Sequence, residues 1–229
     1  MPHWVHLVRT FDLTVRKRQN ARMVEPEHKR TAEAGNGDAA SATGLIHLIC
    51  GCMFAGKTTE LLRILNDVPP EQLLTVKHCK DQRFCSATIS THDGKHHDAV
   101  TVRSSDEIFA HVGDRISVIA IDEGHFYDSD LPDVCRKLAE AGKRVIVTAL
   151  DRDMWGLPFD TVERIRKLAG VVCVKRAVCA NCGQPADRTY RKTAIVNRNL
   201  VGGAADFEPR CQACWSPPPE QHINSAEMA

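Results

Sequence analysis

The sequence is poor in aromatics, which make up 5% of its 229 residues, and neither sign of charge dominates: 30 Lys and Arg stand against 29 Asp and Glu, a formal net charge of +1. So near-neutral a balance exerts no general pull on nucleic acid or an acidic membrane surface, and an anionic ligand has to be held by a local motif. No apolar run approaches the ~18 residues of a membrane span, and no apolar segment of the signal-peptide kind follows Met1. No internal repeat is visible. The expectation is a soluble, cytoplasmic protein with no nucleic-acid and no membrane partner. What is present is 43% hydrophobic residues in 25.4 kDa, enough for the core of one medium domain with accessories. Ten cysteines are many for this length. Without a secretory signal they read as mostly free thiols in a reducing compartment, with one metal site.

Residues 1–43 read as an N-terminal extension in which Arg9, Arg16, Lys17, Arg18, Arg22, Lys29 and Arg30 face Asp12, Glu25, Glu27, Glu33 and Asp38. A disordered tail is one reading of it, and an organelle-targeting segment over the first ~22 residues is the other. Glu33–Thr43, made of small and polar residues, is a linker, so the fold is expected to start at Gly44. From there Leu45–Cys50, Leu73–Lys77, Ser117–Ile121 and Val145–Leu150 read as strands buried on both faces. Helices are expected over Thr58–Asn66, after a capping-box pattern of Ser104 with Glu107, and over Leu131–Ala141 between Pro132 and Gly142. The alternation predicts an α/β domain over 44–174: a parallel sheet flanked by helices, with ligands at the C-terminal ends of its strands. A small unit over 175–215 and a disordered tail over 216–229 follow.

Gly51-Cys52-Met53-Phe54-Ala55-Gly56-Lys57-Thr58 fits the phosphate-loop pattern and lies between an expected strand and an expected helix. Its glycines let backbone N–H groups turn inward onto phosphate oxygens, at the positive end of the helix. Lys57 would reach the β- and γ-phosphates of ATP, and the Thr58 hydroxyl would bind Mg²⁺. Val118-Ile119-Ala120-Ile121 delivers Asp122 and Glu123 to the same sheet edge. Asp122 is expected to hold the Mg²⁺ shell and Glu123 to take a proton from the attacking oxygen. Asp122-Glu123-Gly124-His125 also spells the pattern of helicase-type ATPases, although such motors need two domains of ~150 residues and a basic groove. Cys179, Cys182, Cys211 and Cys214 form two Cys-x-x-Cys pairs suited to a closed, structural Zn²⁺ site. A thioredoxin-like pair accounts for only one of them. A nucleic-acid-binding zinc ribbon, suggested by Arg188, Arg191, Lys192 and Arg198, lacks interleaved aromatics.

With the phosphate loop, Asp122-Glu123-Gly124-His125-Phe126 and the cysteine pairs in that order, the chain resembles the zinc-containing thymidine kinases of the human cytosolic and bacterial type. The likeness runs from about Gly44 to Trp215 and includes Lys80-Asp81-Gln82-Arg83, Thr91-His92-Asp93, Ala149-Leu150-Asp151, Pro158-Phe159 and Val201-Gly202-Gly203-Ala204. It implies ATP-dependent phosphorylation of thymidine and deoxyuridine, with Glu123 as base and Asp122 as the magnesium carboxylate. Asp81, Arg83 and His125 would stand on the phosphate side. The resemblance puts Met53, Phe126, Leu150, Met154, Phe159, Thr189, Arg198, Leu200, Val201, Gly202 and Phe207 around the nucleoside. Tyr190–Phe207 corresponds to a lasso loop held up by the zinc. A homotetramer or dimer and feedback inhibition by dTTP are also implied. Cys52 stands where the family often has Pro, His125 where Gln is usual, Met154 for Phe and Phe207 for Tyr.

Overall fold

A computed structural model of the chain describes residues 27–29, 44–81, 88–90, 96–193 and 202–218. Arg83, Thr91, His92, Asp93, Arg198, Leu200 and Val201 lie outside the described residues. The strands in chain order are β1 (Glu27–Lys29), β2 (Ile46–Gly51), β3 (Leu73–His78), β4 (Thr88–Ser90), β5 (His96–Asp98), β6 (Val100–Val102), β7 (Val118–Asp122), β8 (Arg144–Leu150), β9 (Val171–Lys175), β10 (Ala177–Val178), β11 (Pro185–Ala186), β12 (Arg188–Arg191) and β13 (Phe207–Arg210). The α-helices are α1 (Lys57–Leu65), α2 (Leu131–Glu140) and α3 (Asp160–Leu168). None of the described helices is long and apolar enough to cross a membrane.

One sheet runs β1-β9-β2-β8-β7-β3-β6, with every neighbouring pair parallel except β1 and β9. The expected parallel sheet is present, and all four strands read from the sequence lie within one residue of their positions. Along β2 the alternation of the pleat sends Leu48 and Cys50 to one layer and Ile49 to the other. The first layer packs under Leu131, Val134, Cys135 and Leu138 of α2 and Val162 and Ile165 of α3; the second packs under Leu61, Leu62, Ile64 and Leu65 of α1. Helix spacing explains both contacts, because residues three and four apart share a face. α2 begins at a Pro in its first turn and ends where the N–H groups of Gly142 and Lys143 reach back to the carbonyls of Ala139 and Leu138 at 2.9 and 3.0 Å.

The capping-box expectation is corrected in part. Glu107 accepts the Arg103 N–H at 2.8 Å, but the cap position falls on Ser105 and not on Ser104. Ser105 makes no side-chain cap hydrogen bond because its hydroxyl goes to Asp128 at 2.5 Å, and Asp106–His111 is only a six-residue 3-10 turn. After β9 the chain leaves the main sheet for two small hairpins, β10 with β11 and β12 with β13. Their shared core consists of Cys52, Ala55, Ala177, Cys179 and Ala186, so two residues of the phosphate loop complete it.

Candidate active site

Between β2 and α1 the phosphate loop bends through three positive φ angles: Gly51 at 144°, Phe54 at 62° and Gly56 at 75°. At Gly51 a side chain is excluded twice, by that angle and because a Cβ would lie 2.2 Å from the carbonyl oxygen of Lys175. Lys57, buried at the first turn of α1, donates from Nζ to the carbonyl of Cys52 at 2.8 Å. Its ammonium is thus held inside the loop, where a phosphate oxygen would compete for it. The Cys52 thiol points away from the loop and donates to the Ala186 carbonyl at 3.4 Å; burial pushes it up to about 11, so it stays protonated. Next to it the Met53 N–H donates to the Thr189 hydroxyl at 3.1 Å, which ties the loop to β12.

Asp122 ends β7, and Glu123 turns out of the strand with φ 53° and ψ 49°, the left-handed conformation that costs a non-glycine residue roughly 1–2 kcal/mol. Both carboxylates are buried. Thr148 of β8 touches both residues: its hydroxyl donates to Asp122 Oδ1 and accepts the Glu123 N–H at 3.1 Å. Lys77, another buried charged residue, pairs with Asp122 across the β3–β7 ladder. Neither Thr148 nor Lys77 stands out in the sequence, because each sits inside a short apolar run.

His125 carries the next link. Its Nδ1 accepts the Leu150 N–H at 3.2 Å and lies 3.5 Å from Glu123 Oε2. The ring sits between Phe126 and Phe159, with centroid distances of 4.3 and 5.1 Å. Glu123, His125, Phe126, Leu150 and Phe159 are therefore one cluster at the end of β7 and β8. Met53 and Thr189 form a second, at the junction of the phosphate loop with β12. Asp81 is buried just past β3, and its N–H reaches the His78 carbonyl at 2.9 Å. Met154 is buried in the turn after β8. Phe207 is buried under the Arg191 guanidinium, 5.4 Å from the ring centroid, and a Cβ on Gly202 would lie 2.8 Å from its Cε2.

In the small unit the sulfurs of Cys179, Cys182, Cys211 and Cys214 all lie within 4.8 Å of one another, with Cys182 and Cys211 at 3.6 Å. A tetrahedral Zn²⁺ with bonds of about 2.3 Å requires sulfur separations of about 3.8 Å, so the donor set fits the metal in both chemistry and spacing. The thiols titrate together: burial raises the Cys179 thiol but is outweighed by backbone N–H groups of Cys211, Cys182 and Asn181, which lower it, while at Cys182 the Gln184 N–H is outweighed by hydrogen bonds with the other three sulfurs, which raise it. Asn181 Nδ2 donates to the Cys214 sulfur at 3.3 Å. Trp215, which the sequence did not single out, ties this unit to the sheet domain. Its indole N–H reaches the Thr189 carbonyl at 3.1 Å, and its ring lies so close to Gly156 that a Cβ there would be 3.0 Å from it.

The sequence model described as thymidine kinase matches residues 44–215. A thymidine kinase of Rhodothermus sp. (strain ITI 518) is 37% identical over 179 residues, covering 77% of this chain and 84% of that protein. Among solved structures, the ATPase DotB of Legionella pneumophila aligns with a TM-score of 0.38 at 13% identity, over 62% of this chain and 43% of its own, a likeness that carries no functional weight.

Proposed function

The chain belongs to the thymidine kinase family, and from that premise we propose how its residues transfer the γ-phosphoryl group of ATP to the 5′-hydroxyl of thymidine. The phosphate loop from Gly51 to Thr58 holds the β- and γ-phosphates with its backbone N–H groups and Lys57. Thr58 and Asp122 would hold Mg²⁺, which would neutralise the charge that builds on the phosphate oxygens. Glu123 accepts the proton of the 5′-hydroxyl as its oxygen bonds to the γ-phosphorus; the bond to the bridging oxygen breaks, and ADP leaves with that electron pair. Asp81, Arg83 and His125 would serve the phosphates, as the family resemblance implies. One observation supports the scheme best: a buried Asp-Glu pair, braced by Thr148, lies at the same sheet edge as the phosphate loop.

For the base we propose recognition by the lasso loop of Tyr190–Phe207, held by Zn²⁺ on the four cysteines, with Arg198, Leu200, Val201 and Gly202 nearest the ligand. A backbone N–H cannot become an acceptor. If one faces O4 of thymine and a carbonyl faces N3–H, cytosine fails at both positions, at about 1–3 kcal/mol each. Deoxyuridine lacks only a methyl, worth about 1 kcal/mol, and remains a substrate. Phe126, Leu150 and Phe159 leave room for a single six-membered ring, which rejects purines. Inhibition by dTTP, a homotetramer or dimer, and a cytoplasmic location belong to the same reading. The test is kcat/KM for thymidine against deoxycytidine under identical MgATP. A preference of roughly 30-fold to 10⁴-fold is expected from two buried mismatches. A ratio near one would refute backbone reading, and ATP hydrolysis stimulated by DNA or RNA in place of nucleoside would refute the kinase.

A further inference from the structure

We propose that Thr148 is a positioning residue for phosphoryl transfer, a single hydroxyl that sets the Asp122 carboxylate and the backbone of Glu123 together. The inference rests on the roles proposed above for those two residues. β8 is otherwise apolar at its centre, with Val145, Ile146, Val147 and Ala149 fully buried, and Thr148 is 1% exposed among them. A polar side chain at such a place has to be satisfied locally, and this one is satisfied wholly by the carboxylate-bearing turn. A hydroxyl has one proton and two lone pairs. Here the proton goes to Asp122 Oδ1, and a lone pair takes the Glu123 N–H at 3.1 Å.

That N–H needs a partner because β7 ends one residue earlier: its ladder with β3 stops at Asp122 and its ladder with β8 at Ile121. Glu123 then leaves the strand in a left-handed conformation, which persists only where its surroundings hold it. Thr148 supplies that hold from an unusually rigid base. Its own backbone is in register with Ile49 of β2, one residue past the last pair of β8 with β7, and its branched side chain has little rotamer freedom. The hydroxyl itself touches no reacting atom; it acts by fixing the direction in which each carboxylate leaves the sheet.

Thr148→Ala and Thr148→Ser, which differ from each other only by the hydroxyl, test this. Relative to the Ser variant, the Ala variant should lose about 10- to 100-fold in kcat, the usual cost of removing a group that orients a ligand. KM for thymidine should stay within about threefold, because the nucleoside pocket is untouched. The Mg²⁺ concentration for half-maximal rate should rise in Ala alone, and a crystal structure of that variant should show Glu123 out of the positive φ region. If Ala lowers the melting temperature too far for assay, the isosteric Thr148→Val makes the same hydroxyl-only comparison against the wild-type Thr. Equal kcat in Ala and Ser, whether normal or reduced, would overturn the proposal, since only the methyl or the volume would then matter. Glu123→Gln is measured in parallel. Near-normal turnover there removes the base itself and this inference with it, whereas an inactive Glu123→Gln beside a fully active Thr148→Ala removes only the role of Thr148.

Discussion

Around Ile119 and Ile121 the parallel sheet buries large aliphatic side chains under α2 and α3, while the unit beyond Lys175 has a core of alanine and cysteine, with Phe207 as the large apolar side chain buried beside it among the described residues. The first region can hold its shape through the area it removes from water. The second cannot: its core of five small residues borrows two of them from the phosphate loop, and its four thiols converge on one point. The difference teaches that the two halves of the candidate site rest on different supports. With Zn²⁺ on the four thiols as proposed, the phosphate edge would be set by burial and the lasso unit by coordination, so different insults should disable them.

The largest expected effect comes from cutting the metal support. Cys211→Ser should abolish both Zn²⁺ binding and nucleoside phosphorylation, while far-UV circular dichroism still reports the sheet and helices. Full activity toward thymidine in metal-free protein would break the comparison outright. Next comes a cut in the other support. Ile119→Ala removes a fully buried side chain from the centre of the sheet and should cost about 2–5 kcal/mol of stability in denaturant titration, with one Zn²⁺ per chain still bound in the folded protein. Loss of the metal in that variant would mean that the two supports are one.

The smallest effect concerns pH and belongs to the sheet domain alone. Burial lowers the His78 imidazole below its ordinary value, even though its Nε2 can donate to the Arg103 carbonyl at 3.0 Å. An unfolded chain therefore takes up this proton at higher pH than the folded one does. Stability attributable to His78 is intact above about pH 6.5 and is lost as pH falls from there through the folded value. Thermal melts between pH 8 and pH 5 should show that decline, and His78→Gln should flatten it. An unchanged slope in the variant would assign the decline to other groups.

How much of this was legible follows from the same contrast. The strands buried on both faces are continuous aliphatic runs, and reading them as strands gave their limits within a residue. β9 was missed because Val-Val-Cys-Val-Lys is short and follows directly on a helix, and α3 because it buries only Val162 and Ile165. β1 falls in the stretch read as an extension, where three residues with no apolar pattern give no sign of pairing with β9. Of the site, the phosphate loop, the carboxylate pair and the cysteines were visible because their chemistry requires fixed residue types at fixed spacing. Thr148 and Trp215 were not, since each acquires its role from a neighbour far away in the chain: Asp122 for the first and Gly156 for the second.

β8 lies between the strand that feeds the phosphate loop and the strand that ends in Asp122. Two interstrand steps of about 4.8 Å make a clearance of about 10 Å between those strands. Backbone hydrogen bonds of the ladder fix that distance, and no side-chain substitution alters it. The spacing between the phosphate loop and Asp122, the gauge of the proposed reaction, is thus a dimension of the peptide group itself.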